Sequence, residues 1–190
     1  TISTGAGNDT INNVGGNDTI TAGSGNDIVV VEDFSDLNSS DTIDGGDGSD
    51  TLRFSEDASH DFTADATTLN GVSNFEKYQF TAIDAKTVTI NDTIFNNGSI
   101  DIQFTSGIAN ANTFTAAGVL TSTNTVNFTD DVDTTTYVVG NGVDNANMGG
   151  GADIITVSTE AYLQATDILQ GGLGSDTINV TLVGGTVAAP

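Results

Sequence analysis

In the first part of the chain, an aliphatic residue follows each polar, glycine-containing turn at a fixed sequence spacing. In three successive nine-residue units, which span residues 4–30, Ile11, Ile20 and Val29 each stand two places after an aspartate. Apolar positions that alternate with polar ones over a few residues, bounded by Gly, Asn and Asp, predict short β-strands. Each unit therefore predicts one turn followed by one very short strand.

The spacing of the aspartates repeats, so the chain has a long period as well as a short one. After a gap of fourteen residues from Asp27, two further units are centred on Asp41 and Asp50, nine residues apart. Repetition on two scales is typical of repeat architectures, and we expect about one and a half copies of a long module, cut from a longer polypeptide. Four unit aspartates, Asp18, Asp27, Asp41 and Asp50, recur 126 residues later, at Asp144, Asp153, Asp167 and Asp176.

Residues 55–139 have few glycine turns but many short runs in which apolar and polar residues alternate. The run at 71–80 differs from the others because a polar Asn-x-Glu step precedes its alternating residues. A helix is considered only for residues 57–68. Strands are predicted by the period-two runs of Thr, Val, Ile and Phe at residues 86–90, 100–104, 125–128 and 136–139.

These patterns divide the chain into three parts. Residues 1–54 are a first repeat block, residues 55–139 a β-rich segment, and residues 140–190 a second block that is a truncated copy of the long repeat. The middle segment could continue the axis of the first block or fold as a separate sandwich. Alternation alone does not distinguish these two arrangements, and both stay open at this point.

The turns have the composition of an oxygen-ligand site. Glycine permits backbone conformations with positive φ that a side chain would penalise, so the turn can curl until its carbonyl groups point inward. An aspartate two residues later adds a charged oxygen to these neutral ones. An all-oxygen shell in a flexible turn suits calcium better than zinc or copper, and better than magnesium, which resists dehydration.

The turns therefore predict calcium ions, about five in all, held by backbone and side-chain oxygens. The predicted backbone ligands belong to the turn residues Gly5, Gly7, Gly23, Gly25, Gly46, Gly48, Gly149, Gly151, Gly172 and Gly174. The predicted side-chain ligands are Asp9, Asp18, Asp27, Asp41, Asp50, Asp144, Asp153 and Asp176.

The spacing also predicts how the turns stack. If two nonapeptides make one coil of a flattened right-handed roll, each turn stacks on the turn two units further along the chain, one strand spacing away, about 4.8 Å. Two stacked turns can then share an ion. The expected fold is all-β, with right-handed parallel β-roll or β-helix blocks that flank a strand-rich middle segment. The edges of the blocks would hold Asp9 with Asp27 and Asp50, Asp18 with Asp41, Asp153 with Asp176, and Asp144 with Asp167.

The pattern Gly-Gly-x-Gly-x-Asp-x-aliphatic-x resembles the repeats-in-toxin (RTX) family, and the resemblance covers about half of the chain. The intervening Thr- and Asn-rich β segment and the scarcity of lysine are most similar to RTX-type bacterial surface-layer proteins and large adhesins. The resemblance implies a calcium-binding parallel β-roll, type I secretion in the unfolded state, and folding outside the cell. The chain departs from the pattern at residues 14–15 and at the glycine-free units of Asp41 and Asp167.

Charge and composition restrict the partners of such a chain. Against 26 acidic residues there are only three basic ones, Arg53, Lys77 and Lys86, and the formal net charge is −23. So few basic residues cannot neutralise the carboxylates within the chain, and they leave no basic surface for nucleic acid. No apolar run approaches the length of a membrane span. Because the chain has no cysteine, disulfides and thiolate metal sites are excluded.

The sequence offers little for catalysis. His60 is the single histidine, and a Ser/His/Asp arrangement needs a positioned histidine. Carboxylate pairs such as Asp130 and Asp131 arise by chance in so acidic a chain. We therefore predict that this segment is not an enzyme.

Three functions are compatible with these features. The first is a structural module of an extracellular calcium-dependent surface layer or lattice on a bacterial cell, which would associate with itself and could contact a cell-surface polysaccharide. The second is a stalk or ligand-binding section of a secreted RTX adhesin. The third is the secretion and folding tail of a secreted protease or lipase. The long repeat favours the first two, because a tail needs one block and not a periodic series.

Overall fold

The chain winds into a parallel β-solenoid built from very short strands. The computed structural model describes residues 1–13, 15–56, 60–61, 69–81, 87–91, 101–104, 112–118, 123–127 and 134–181. Two 3-10 turns, η1 (Phe34–Asp36) and η2 (Glu160–Tyr162), interrupt the strands. In chain order the strands are β1 (Ile2–Ala6), β2 (Thr10–Asn13), β3 (Thr19–Ser24), β4 (Ile28–Val31), β5 (Thr42–Asp47), β6 (Thr51–Phe54), β7 (His60–Asp61), β8 (Val72–Ser73), β9 (Lys77–Phe80), β10 (Thr87–Asn91), β11 (Asp101–Phe104), β12 (Asn112–Gly118), β13 (Thr123–Asn127), β14 (Thr135–Val138), β15 (Val143–Asn147), β16 (Gly150–Gly151), β17 (Ile154–Val157), β18 (Ile168–Gln170), β19 (Leu173–Gly174) and β20 (Thr177–Val180).

The register shows that two nonapeptides make one coil, as the spacing predicted. In the pair β1 and β3, Ile2 lies opposite Ile20, which sets a coil of 18 residues. In the pair β3 and β5, Thr19 lies opposite Thr42, because the fourteen-residue gap lengthens that coil to 23 residues. The prediction of an all-β fold with a parallel β-roll is confirmed. The hydrogen-bonded strand orders are β1-β3-β5-β8, β11-β9-β6-β4-β2, β20-β17-β14-β12-β10-β7, β13-β15-β18 and β16-β19.

The interior of the solenoid is a stack of apolar side chains, one layer per coil. In β3 and β5 alternate residues point inward, so Ile20 and Ile43 are buried while the neighbouring threonines are exposed. Phe54 stacks on Phe80 of the next coil with ring centroids 5.1 Å apart. Full burial of one such side chain contributes about 1.5–3 kcal/mol, so the core depends on each coil being covered by its neighbour.

The strands of the middle segment continue the stack of the first block. β9 pairs in parallel with β6 on one side and with β11 on the other. The four runs that predicted strands correspond to β10, β11, β13 and β14. Most of the helix considered at 57–68 falls outside the described residues, and its described part, His60–Asp61, is strand β7. The three-part division of the chain stays a prediction.

The long period of the sequence is also a period of the structure. The turns η1 and η2 are 126 residues apart, from 34 to 160. The strands β4 and β17 also begin 126 residues apart, at residues 28 and 154. The same sequence separation holds for β6 and β20, which begin at residues 51 and 177. Within the described part of the chain, no helix is long and apolar enough to cross a membrane.

Candidate calcium-binding turns

Backbone-to-carboxylate hydrogen bonds link the aspartates of successive coils into a ladder. The N–H of Asp9 donates to Oδ1 of Asp27 at 2.7 Å, and the N–H of Asp27 donates to Oδ1 of Asp50 at 2.7 Å. The ladder ends on a glutamate, because the N–H of Asp50 donates to Oε2 of Glu76 at 2.8 Å. We call these four residues the first-edge ladder. Its three aspartates are those that the spacing placed on one edge.

The other predicted edges have the same arrangement. The N–H of Asp18 donates to Oδ1 of Asp41 at 2.8 Å. In the second block, the N–H of Asp153 donates to Oδ1 of Asp176 at 3.1 Å, and the N–H of Asp144 donates to Oδ1 of Asp167 at 3.0 Å. The structure therefore brings the predicted aspartates together in the expected pairs, and their contacts with calcium stay predictions.

The glycines of the turns have the backbone conformation for which glycine was expected. At Gly23, φ is +116°, and a Cβ atom there would lie 1.9 Å from the carbonyl oxygen of Gly5 in the preceding coil. The coils can therefore approach this closely only without side chains at these positions. Positive φ values between 81° and 149° occur at all of the predicted turn glycines, Gly5, Gly7, Gly23, Gly25, Gly46, Gly48, Gly149, Gly151, Gly172 and Gly174.

Each ladder hydrogen bond uses only one oxygen of its carboxylate, and in the glycine-containing units of the first block the Oδ2 atom accepts no hydrogen bond. Burial of an ionised oxygen with no partner costs several kcal/mol, and a bound cation would offset that cost. The chemistry of these turns therefore fits calcium, whose positive charge the carboxylates would bind. Buried Oδ2 atoms that accept no hydrogen bond belong to Asp9, Asp18, Asp27 and Asp50.

Side chains alone do not complete such a site. Among the residues that the structure describes, no three His, Cys, Asp or Glu side chains are grouped so that they could hold a metal ion. Calcium commonly takes six to eight oxygen ligands and accepts backbone carbonyls among them. A calcium ion at these turns would therefore need backbone carbonyl ligands, and the assignment of that role to the turn glycines stays a prediction.

The electrostatic environment of Asp50 reflects the crowding of negative charge along the first-edge ladder. Burial is the largest effect that raises the pKa of Asp50, and the carboxylates of Asp27, Glu76 and Asp44 raise it further. The hydrogen bond from the N–H of Asp27 acts in the opposite direction. A proton is therefore held more tightly in the folded chain than in the unfolded one, and protons compete with a cation for this carboxylate.

The two glycine-free units use their aspartates differently. Both oxygens of Asp41 accept hydrogen bonds, Oδ1 from Asp18 and Oδ2 from the N–H of Asn38 at 2.8 Å. The equivalent residue, Asp167, accepts from the N–H of Gln164 at 2.6 Å through its own Oδ2. These carboxylates close the loop that follows each 3-10 turn, a role that the sequence analysis missed because the spacing alone does not show which N–H lies nearby.

A tyrosine just before the second block contacts one predicted ligand of that block. The hydroxyl of Tyr137 donates a hydrogen bond to Oδ1 of Asp144, and both side chains are buried. Burial first, and then the neighbouring carboxylate, raise the pKa of Tyr137, so its hydroxyl stays protonated. The equivalent residues of the first block are Ile11 and Asp18, so the two blocks differ in chemistry at this turn.

The comparisons with known proteins agree with this geometry. The family model of the RTX calcium-binding nonapeptide repeat matches in four copies, within residues 3–37, 33–58 and 164–180. These residues include all the first-block turns and the turn before Asp176, but not those before Asp144 and Asp153. No curated protein and no solved structure matches the chain.

Proposed function

Because this chain belongs to the RTX family of calcium-binding repeats, we propose that it is a structural module of a calcium-dependent surface layer outside a bacterial cell. RTX repeats form structural calcium-binding modules, and they occur in secreted extracellular proteins of bacteria. In the proposed module, calcium ions neutralise the ladders and hold successive coils together. The rigid solenoid would then serve as a building element of a lattice.

The observation that carries this proposal is the recurrence of structure after 126 residues. The turns η1 and η2, with the aspartates and strands around them, are near copies at this separation. A secretion tail of a protease or lipase needs a single calcium-binding block, whereas an extended scaffold gains length from each further copy. A repeated block therefore supports a surface layer, or a stalk of a secreted adhesin, over an enzyme tail.

A candidate surface for self-association lies at the last described coil. Large apolar side chains are exposed there, with 80% of Leu173 and 56% of Ile178 accessible. In the first block, the residue equivalent to Ile178 is Leu52, which is fully buried and pairs with Tyr78 of the next coil. We propose that a further coil with the same glycine turns, from the same polypeptide or from a second copy, covers this surface, because β20 is an edge strand of its sheet.

This proposal predicts assembly that depends on calcium. In millimolar calcium the purified chain is expected to form large assemblies, seen by analytical ultracentrifugation and electron microscopy, that dissociate when the calcium is chelated. Ile178→Asp is expected to prevent assembly, because it places a charge on the apolar edge. Asn179→Asp adds the same charge at the next residue of β20, whose side chain points to the opposite face, and should assemble normally.

The form of the assemblies separates the two leading functions. Ordered two-dimensional arrays indicate a surface layer, whereas isolated fibres indicate the stalk of an adhesin. A chain that stays monomeric at every calcium concentration would contradict both forms of self-association, although calcium binding by the repeats would be unaffected.

A further inference from the structure

A shortened turn at residues 74–76, outside the residues matched by the family, closes over the last complete turn of the first block. β8 pairs with β5, and β9 pairs with β6. The register places Ser73 opposite Asp44 and Lys77 opposite Thr51. Three residues therefore span the distance that six residues, 45–50, span in the preceding coil.

We propose that this shortened turn and the turn before it hold a calcium ion between them, with the Glu76 carboxylate and the Asn74 carbonyl as ligands beside Asp50. The inference rests on the proposed calcium-binding function. It adds a site in which one partner turn has neither the glycines nor the aspartate of the repeat.

The first observation is a buried charged oxygen that accepts no hydrogen bond and lies close to a backbone carbonyl oxygen. Asp50 is fully buried, and its Oδ2 accepts no hydrogen bond. This oxygen lies 3.0 Å from the point that a Cβ atom at Gly45 would occupy, and the carbonyl oxygen of Asn74 lies 2.1 Å from the same point. The two oxygens are therefore at most 5.1 Å apart (3.0 and 2.1 Å). Two oxygens that bind one calcium ion are separated by no more than about 5 Å, twice the usual calcium–oxygen distance.

The second observation is the position of Glu76 in the first-edge ladder. Its Oε2 accepts the N–H of Asp50, as Asp50 accepts the N–H of Asp27. Glu76 thus takes the place that an aspartate has in each preceding coil, directly before the strand of its coil. The side chain of Glu76 is exposed, so a cation can approach it from solvent.

The conformation of Asn74 fixes the carbonyl group that completes this arrangement. Its φ is +57°, and no other non-glycine residue in the described ranges has a positive φ. Asparagine tolerates this left-handed conformation better than most residues. Its Nδ2 donates to Oδ1 of Asp44 at 2.7 Å, which holds the turn with the carbonyl oxygen against Gly45.

The alternative is that Glu76 only caps the N–H of Asp50. Glu76→Gln distinguishes the two roles, because glutamine keeps an acceptor oxygen for that N–H and removes the charge that calcium requires. Glu56→Gln is the matched control, since Oε2 of Glu56 also accepts a backbone N–H one coil away, from Phe34 at 2.7 Å. Calcium binding to the full chain is measured by isothermal titration calorimetry, and the fold of each variant by circular dichroism in saturating calcium.

We expect Glu76→Gln to lose one bound ion, or to bind one ion about tenfold more weakly, because calcium affinity depends on the number of charged ligands. Glu56→Gln should bind calcium as the unmodified chain does. If Glu76→Gln fails to fold, Glu76→Asp replaces it, and the shorter carboxylate should weaken the binding of a single ion. Unaltered binding in the folded Glu76 variant would overturn this site alone, whereas an unmodified chain that binds no calcium would overturn the proposed function as well.

Discussion

Removal of calcium is expected to abolish most of the β-sheet signal of the chain in far-ultraviolet circular dichroism. Without cations, the buried Oδ2 atoms of the three aspartates of the first-edge ladder accept no hydrogen bond, and carboxylates in successive coils repel one another. If each site has a dissociation constant near 0.1 mM, millimolar calcium contributes about 1.4 kcal/mol per site. About five sites would then supply free energy comparable to the whole stability of a small domain.

Magnesium is the control for this result. An equal concentration of magnesium is expected to restore little of the signal, because the smaller ion resists dehydration and prefers an octahedral shell rich in water. An undiminished β-sheet signal in excess chelator would contradict the account. Full restoration by magnesium would show that charge neutralisation alone, without a calcium site, stabilises the roll.

The second large effect is expected for Gly23→Ala. A Cβ atom at Gly23 would lie 1.9 Å from the carbonyl oxygen of Gly5, and φ at this residue is +116°. The coils would have to separate at the turn, where the predicted calcium ligands are closest together. We expect a loss of about 3 kcal/mol or more in the free energy of unfolding, measured by denaturant titration in saturating calcium.

Gly5→Ala separates backbone strain from the clash between coils. Gly5 has a similar φ, +99°, but nothing lies within 4 Å of the position that its Cβ atom would take. Its substitution is therefore expected to cost only about 1–2 kcal/mol, the penalty for a left-handed conformation with a side chain. If the two variants lose the same stability, the close approach of the glycine turns does not limit the packing of the coils.

The sequence predicts the repeat blocks well because their information is local and periodic. Asp9 and Asp27 are separated in the sequence by the length of two nonapeptides. This spacing alone predicts that the two residues lie on one edge of the roll. The positive φ values of the turn glycines follow from the same pattern. A local rule applied at regular intervals is therefore sufficient to predict the ladders and the alternation of buried and exposed side chains.

The features that the sequence does not predict depend on contacts between residues with no fixed spacing. Glu76 joins the first-edge ladder 26 residues after Asp50, a separation that lies outside the period on which the prediction relied. The hydrogen bond from Tyr137 to Asp144 depends on which core side chain reaches the turn. The parallel pairing of β9 with β6 likewise required the structure, because alternation is the same in a solenoid and in a sandwich.

A calcium-dependent fold would have a direct consequence for the proposed secreted protein. The excess of carboxylates, with a formal net charge of −23, favours an expanded chain wherever calcium is scarce. In the proposed function, the same carboxylates become ligands where calcium is abundant, and the ladder would then couple folding to the calcium concentration of the surroundings.

Anomalous X-ray scattering from crystals grown with calcium can locate ions between the stacked glycine-aspartate turns. Anomalous peaks are expected about 2.4 Å from the Oδ2 atoms of Asp9, Asp27 and Asp50, the usual distance between calcium and oxygen. Crystals that contain ordered calcium elsewhere, with no peak beside any of these three carboxylates, would contradict calcium binding at these turns.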